Sequence, residues 1–149
     1  MVTLLRVTGK HHDFIQLVNK LDADLNGRYG DLQTEYDQYN TIDQLATVIV
    51  VYHDGLPVAC GAMKPFDDDT VEIKRMYVSP ENRGLGIAGR ILAELENWAA
   101  ELGFSRSVLE TGVKQVEAIG LYQKHGYERI ENYGQYRDMP SSVCFAKKV

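Results

Sequence analysis

The stretch Glu72–Leu92 constrains the fold more than any other part of the chain. It reads EIKRMYV, then SPENR, then GLGIAGRIL, which is a strand-forming run, a short polar turn, and a glycine run that opens a helix. A strand passed through glycines onto a helix N-terminus belongs to an α/β architecture. The first helical N–H groups lack intrahelical acceptors and the helix dipole adds partial positive charge, so the junction suits an anion. Glycine lets the backbone approach that anion with no Cβ in the way. The chain is therefore expected to bind a phosphorylated cofactor.

One version of that cofactor is a dinucleotide. Gly84, Gly86 and Gly89 spell G-x-G-x-x-G, and Glu110 follows at about the distance a ribose-binding acid requires. The context argues against it. Ser79-Pro80-Glu81-Asn82-Arg83 separates the strand from the glycines, and the chain after Glu110 is too short to complete a doubly wound domain.

Bulk properties narrow the class. The 149 residues suit a single domain over 1–149, with 44% hydrophobic and 25% charged content. A net charge of −5 disfavours nonspecific nucleic-acid binding, which rests on Lys and Arg. No apolar run approaches the roughly 20 residues that span a bilayer, and the first residues lack a secretory pattern. Cys60 and Cys144 sit in apolar runs without ligand or redox spacing, and read as buried free thiols of a cytoplasmic protein. No metal is expected. His11 and His12 are adjacent and diverge, and Asp67-Asp68-Asp69 lacks calcium-loop spacing.

In order, Val2–Val7 reads as a strand. Phe14, Leu17, Val18, Leu21 and Leu25 recur at helical spacing and predict a helix over 12–26, broken by Asn26-Gly27-Arg28-Tyr29-Gly30. The segment Leu32–Asn40, with its flanks, is rich in acids and tyrosines (Tyr29, Asp31, Glu35, Tyr36, Asp37, Tyr39). It reads as a second short helix or a loop. A solvated acidic surface and a wall for a cationic substrate both explain it. Ala46–Tyr52, Pro57–Lys64 and the strand entering the glycine run form a meander, turned first at His53-Asp54-Gly55. Ile87, Ile91, Leu95, Trp98 and Leu102 define a long amphipathic helix closed by Gly103. Val108–Thr111 follows as a strand parallel to the third. A helix over Val116–His125, closed by Gly126, and strands over Tyr127–Ile130 and Val143–Lys147 complete the chain. Tyr133 and Tyr136 lie in the loop between those two strands.

The third meander strand slips phase. Val71 and Ile73 share one face by period two, and Met76 and Val78 share a face one step out of register. A β-bulge near Lys74-Arg75 produces such a slip and would splay the strand from its neighbour, while a strand buried on both faces would show the same pattern without a bulge. An extended ligand could lie in that opening.

Arg83-x-x-Gly86-x-Ala88, the preceding MYVSP and the later LYQKHGY together resemble the GNAT superfamily of N-acetyltransferases. The likeness covers nearly the whole chain. It implies a mixed, mostly antiparallel sheet of about seven strands, flanked by about four helices, with a bulge and strand splay at the cofactor site. It further implies acetyl-CoA as co-substrate, its pantetheine arm beside Met76, Tyr77 and Val78, and its pyrophosphate on the amides of Arg83, Gly84, Leu85, Gly86, Ile87, Ala88 and Gly89. Tyr122 matches the tyrosine that protonates the leaving thiolate. Gln115 stands where the family commonly has an asparagine that touches the cofactor. Glu72 matches a glutamate that acts as base in one branch of the family.

The implied chemistry is attack of an amine on a thioester. A backbone N–H freed by the bulge, from Met76 or nearby, would stabilise the developing oxyanion. Glu72 is the first base candidate, with a surface salt bridge to Lys74 or Arg75 as the plainer explanation of its presence. Glu110 is the second. Tyr29, Tyr36, Glu110 and Tyr133 are candidates for contact with the acceptor, which reads as a small cationic amine, an amino acid or a peptide amine. A non-catalytic CoA-binding module is the alternative of a different class. The resemblance also raises a homodimer as an expectation.

Overall fold

The computed structural model describes residues 1–29 and 42–149. Seven strands and three α-helices fall within them: β1 (Val2–Val7), α1 (His12–Tyr29), β2 (Thr47–His53), β3 (Leu56–Pro65), β4 (Thr70–Val78), α2 (Ile87–Glu101), β5 (Arg106–Gly112), α3 (Val116–Lys124), β6 (Glu128–Ile130) and β7 (Ser142–Lys148). The fourth expected helix, over Leu32–Asn40, lies outside the described residues. α1 runs on through Asn26-Gly27 to Tyr29, past the break that the sequence suggests. A glycine inside a helix costs only about 1 kcal/mol, so it marks an end without enforcing one.

The strands form one sheet in the order β1-β2-β3-β4-β5-β7-β6. Only β4 and β5 pair in parallel; every other neighbouring pair is antiparallel. This is the expected mixed sheet, and it is not the doubly wound parallel sheet of the dinucleotide reading. The β2–β3 turn places Asp54 and Gly55 at φ 52° and 85°, the left-handed pair that a two-residue hairpin requires.

The two faces of the sheet bury different cores. α1 lays Phe14, Leu17, Val18 and Leu21 on Val48, Val50, Cys60, Ala62 and Tyr77. α2 lays Ile87, Ile91, Leu92, Leu95 and Ala99 on the opposite face, against Ile49, Val51, Val71, Ile73, Leu109 and Phe145. The stripe of α2 follows the predicted spacing through Ile87, Ile91 and Leu95 and keeps Trp98 partly buried, but Leu102 caps the helix and is exposed.

Two glycines close the helices with the same motif. After α2, Gly103 (φ 92°) donates to Ala100 and Phe104 donates to Ala99. After α3, Gly126 (φ 91°) donates to Gln123 and Tyr127 donates to Tyr122. Both are Schellman caps, and in the second the accompanying apolar contact is the Tyr122–Tyr127 ring pair, centroids 6.0 Å apart.

Candidate active site

The site begins where β4 and β5 part. Their parallel pairing runs from Thr70↔Arg106 to Ile73↔Leu109 and stops, although β4 continues to Val78 and β5 to Gly112. The cause is on the other edge of β4. Cys60 pairs with Tyr77 and Ala62 with Lys74, so Arg75 and Met76 together oppose the single residue Gly61. Arg75 sits at φ 58°, left-handed, which is the bulge expected from the phase slip. The extra residue restores the phase: Val71, Ile73, Met76 and Val78 all join the α2-side core. A Cβ on Gly61 would lie 2.5 Å from Met76 Sδ and 2.6 Å from Ile91 Cγ2, so the bulge needs glycine opposite it. From α1, Asp22 holds the bulge by an ion pair of 2.6 Å to an Arg75 guanidinium nitrogen.

Charged and phenolic groups gather at the mouth of this fork. Glu72 is 3% exposed. Its Oε2 accepts a hydrogen bond from Tyr133 Oη at 2.7 Å, and its Oε1 lies 3.8 Å from Lys74 Nζ. The sequence reading of a surface salt bridge is corrected here: the Lys74 partner is present, but the pair is buried, and Arg75 turns to Asp22 instead. Lys74 Nζ donates to Tyr136 Oη at 2.8 Å, and burial lowers its pKa against the opposing pull of Glu72. Tyr133 and Tyr136 meet edge to face at 5.6 Å, and the phenols of both are pushed up, first by burial and then by Glu72. Phe66 covers Tyr133 from the rim, edge to face at 5.1 Å.

Glu110 faces this group from β5. Burial raises its carboxyl to about 7, against the hydrogen bond that it accepts from Ser142 Oγ at 2.7 Å and the charge of Lys74. The loop between β6 and β7 is fixed over the fork by Asn132, whose Nδ2 donates to the carbonyls of Tyr136, Met139 and Ser142. Tyr122, on α3, is buried between Tyr127 and Phe145, and its phenol is pushed up by burial and by the charge of Glu110.

The glycine run leads from the end of β4 into α2. Gly84 and Gly86 are left-handed, at φ 81° and 77°. A Cβ at either would meet nothing within 4 Å, so backbone conformation alone demands glycine and the space beside them is open. Arg90 N–H donates to Gly86 O as the first bond of the helical ladder, so the amides of Gly86, Ile87, Ala88 and Gly89 precede that ladder. The Ile87 side chain is buried in the core and Leu85 is exposed. Gly89 has a packing reason of its own, because a Cβ there would lie 2.6 Å from the His125 ring. Arg83 Nε donates to Val78 O at 2.8 Å, and its guanidinium stands 5.9 Å from the Tyr77 ring centroid. Met76 and Val78 pack partly buried on the α2 side, and Tyr77 is buried on the α1 side. Gln115 is the N-cap of α3 and uses its backbone there, with no side-chain cap bond.

Of the expected acceptor contacts, Glu110 and Tyr133 come together at the fork. Tyr29 is the last residue of α1, and Tyr36 lies outside the described residues. Reading the sequence missed Ser142, Asp22 and the cation Lys74 as parts of the site. Only Lys74 had a signal, its place one step before the phase slip. Among the described residues no cluster of His, Cys, Asp and Glu is arranged to hold a metal, and no helix is long and apolar enough to cross a membrane.

Known proteins share the family and the fold of this chain. The family model described as "Acetyltransferase (GNAT) family" matches residues 14–127, most of the chain. An IAA acetyltransferase of Azospirillum brasilense is 32% identical over 98% of this chain and 97% of its own. A Klebsiella pneumoniae structure, assigned by inference to the acyl-CoA N-acyltransferases, superposes with TM-score 0.84 at 28% identity, over 99% of this chain and 97% of that one. The fold recurs in a GNAT acetyltransferase of Elizabethkingia anophelis that has acetyl-CoA bound, with TM-score 0.71 at 17% identity over 99% of this chain and 98% of that one. By its motifs, its forked sheet and these likenesses, the chain belongs to the GNAT family of acetyltransferases, enzymes that draw on acetyl-CoA.

Proposed function

We propose that the fork between β4 and β5 receives the acetyl-bearing arm of acetyl-CoA and that an amine attacks the thioester there. The observation that carries this reading is the coincidence of three features at one place. β4 has an edge that β5 leaves unpaired beyond Ile73, open space lies beside the left-handed Gly84 and Gly86, and a carboxyl near pKa 7 faces the gap. The residues present suit the co-substrate. The unpaired edge at Met76–Val78 can bond an extended amide-bearing chain as a further strand would. The amides from Gly84 to Gly89 and the N-terminus of α2 suit a diphosphate, whereas the Arg83 N–H already donates to Pro80 O at 3.3 Å.

Bound there, acetyl-CoA supplies an activated acyl carbon. The chain supplies proton handling and charge stabilisation. An acceptor arrives mainly as ammonium and must lose a proton before attack, and Glu110 is tuned to take it near neutral pH. We assign it the base role ahead of Glu72, because Glu72 is already engaged by Tyr133 and stands beside Lys74. Glu72 then orients those two groups. An N–H at Met76, on the bulge, suits the negative charge that develops on the carbonyl oxygen. Tyr122, a phenol raised by burial, stays protonated at neutral pH and can give its proton to the departing thiolate. The acceptor panel that tests this reading should include IAA, after the name of the Azospirillum relative.

The test is binding followed by turnover. Acetyl-CoA should raise the melting temperature of the purified chain, and NAD(H) should not. Gly86→Glu places a side chain and a negative charge in the cradle at a left-handed position, and should abolish that shift while the variant still melts cooperatively. An undiminished shift in the variant would overturn the cradle. Binding of acetyl-CoA with no release of CoA, either alone or with any amine of a broad panel, would favour the non-catalytic module.

A further inference from the structure

We infer that the acceptor carries a carboxylate beside its amine, and that Lys74 is the group that binds it. The inference rests on the acetyl-transfer reading of the same cleft and deepens it. Lys74 is the first residue of β4 beyond Ile73, the last to pair with β5, and Glu110 is the first residue of β5 beyond Leu109. One cation and one carboxyl therefore flank the mouth of the fork from its two sides.

Lys74 is unlike a structural lysine. Its side chain is 9% exposed. A buried ammonium has three N–H donors to satisfy. Among the described residues one acceptor, Tyr136 Oη at 2.8 Å, lies within hydrogen-bond distance, while Glu72 Oε1 stands off at 3.8 Å. Packing alone does not call for such a group, since an apolar side chain of similar volume serves a core as well or better. Lys64 and Arg75 add positive charge around Lys74, and of these two, among the described residues, Arg75 has a close acid, Asp22. An incoming carboxylate would complete the shell of Lys74.

The same bookkeeping of partners argues against a bare ammonium trap. Glu72 accepts the hydrogen bond of Tyr133 and lies at ion-pair distance from Lys74 without bonding to it, which leaves Glu110, bonded at Oε2 by Ser142 Oγ, as the carboxyl for the acceptor amine. The complement of one carboxyl beside one ammonium is an amino carboxylate. Phe66, half-exposed on the rim against Tyr133, offers an apolar surface to whatever side chain the acceptor carries.

The experiment compares matched acceptors on the wild-type chain. Common α-amino acids, their carboxamides and the corresponding decarboxylated amines are assayed for CoA release with saturating acetyl-CoA, rates being expressed per neutral amine. The free acids should be preferred by about 10-fold or more in kcat/KM, chiefly through KM, as one charge-assisted hydrogen-bonded contact provides. Lys74→Met should cost the acids at least that factor more than it costs the amides, and Lys74→Arg should retain part of the preference. Turnover blind to the carboxylate, or an equal loss on acids and amides in Lys74→Met, would overturn the inference. So would acetyl-CoA binding with no amino carboxylate accepted. Failure of acetyl-CoA to shift the melting temperature would sink the underlying reading as well, which separates the two failures.

Discussion

Glu110→Gln separates the proton-handling role of Glu110 from a packing role, because the two have different pH signatures. The carboxyl is raised from 4.5 to about 7, first by burial. Below pH 4.5 it is protonated in both the folded and unfolded states and contributes nothing to pH dependence. Between 4.5 and 7 the unfolded state releases its proton while the folded state keeps it, so wild-type stability falls as pH rises through that window. At about 1.36 kcal/mol per pH unit, the loss reaches up to roughly 3 kcal/mol and stays constant above pH 7. Glutamine cannot ionise, and its Oε1 can still accept from Ser142 Oγ. Chemical denaturation of both proteins from pH 4.5 to 8.5 should show Glu110→Gln gaining on wild type by about that amount, with most of the gain between pH 5 and 7. Taking the difference between the two proteins removes the titrations that they share. In turnover the wild type should show an acid limb with apparent pKa near 7, and the variant should lose the limb with roughly 10²–10⁴ of the rate. A stability difference flat across pH would refute the buried-carboxyl argument. An unchanged pH–rate profile would remove Glu110 as base whatever the stability result.

Two further substitutions probe the rest of the fork. Tyr122→Phe keeps the ring contacts with Tyr127 and Phe145 and removes only the hydroxyl, so its melting temperature should stay close to wild type while kcat falls about 10²-fold or more; wild-type turnover would demote Tyr122 to packing. Gly61→Ala drives a methyl against Met76 and Ile91 at the bulge, and should destabilise by about 1–3 kcal/mol and weaken acetyl-CoA binding together; a stable variant with intact binding would mean that the bulge does not depend on glycine opposite it.

The frame of the fold was legible because its signals are local. The phase slip between Ile73 and Met76 announced the bulge, and Gly103 and Gly126 announced the two Schellman caps. The site was legible only in part, because its contacts join distant residues. Nothing in the sequence near Glu72 indicates that Tyr133 will donate to it, since that contact depends on Asn132 gathering three carbonyls to fold the β6–β7 loop over the fork. A glutamate beside a lysine and an arginine reads as a solvated surface until a loop from the far end of the chain covers it. Ser142 on Glu110 and Asp22 on Arg75 are hidden for the same reason.

The bulge explains why charge and core meet at one place. A regular strand alternates, so a run with Val71 and Ile73 facing α2 would turn Arg75 toward α2 as well and put Met76 on the α1 side. One inserted residue reverses this. Met76 and Val78 return to the α2-side core, and Lys74 and Arg75 become consecutive residues on the α1 side, one against Tyr136 and the other on Asp22. The insertion has a cost, since a non-glycine residue in the left-handed region is disfavoured by about 1–2 kcal/mol. The Asp22 ion pair and the glycine at position 61 offset it. The same event ends the pairing with β5 at Ile73 and so opens the fork. The cleft, the cation at its mouth and the unbroken apolar face of β4 thus follow from a single extra residue in the strand.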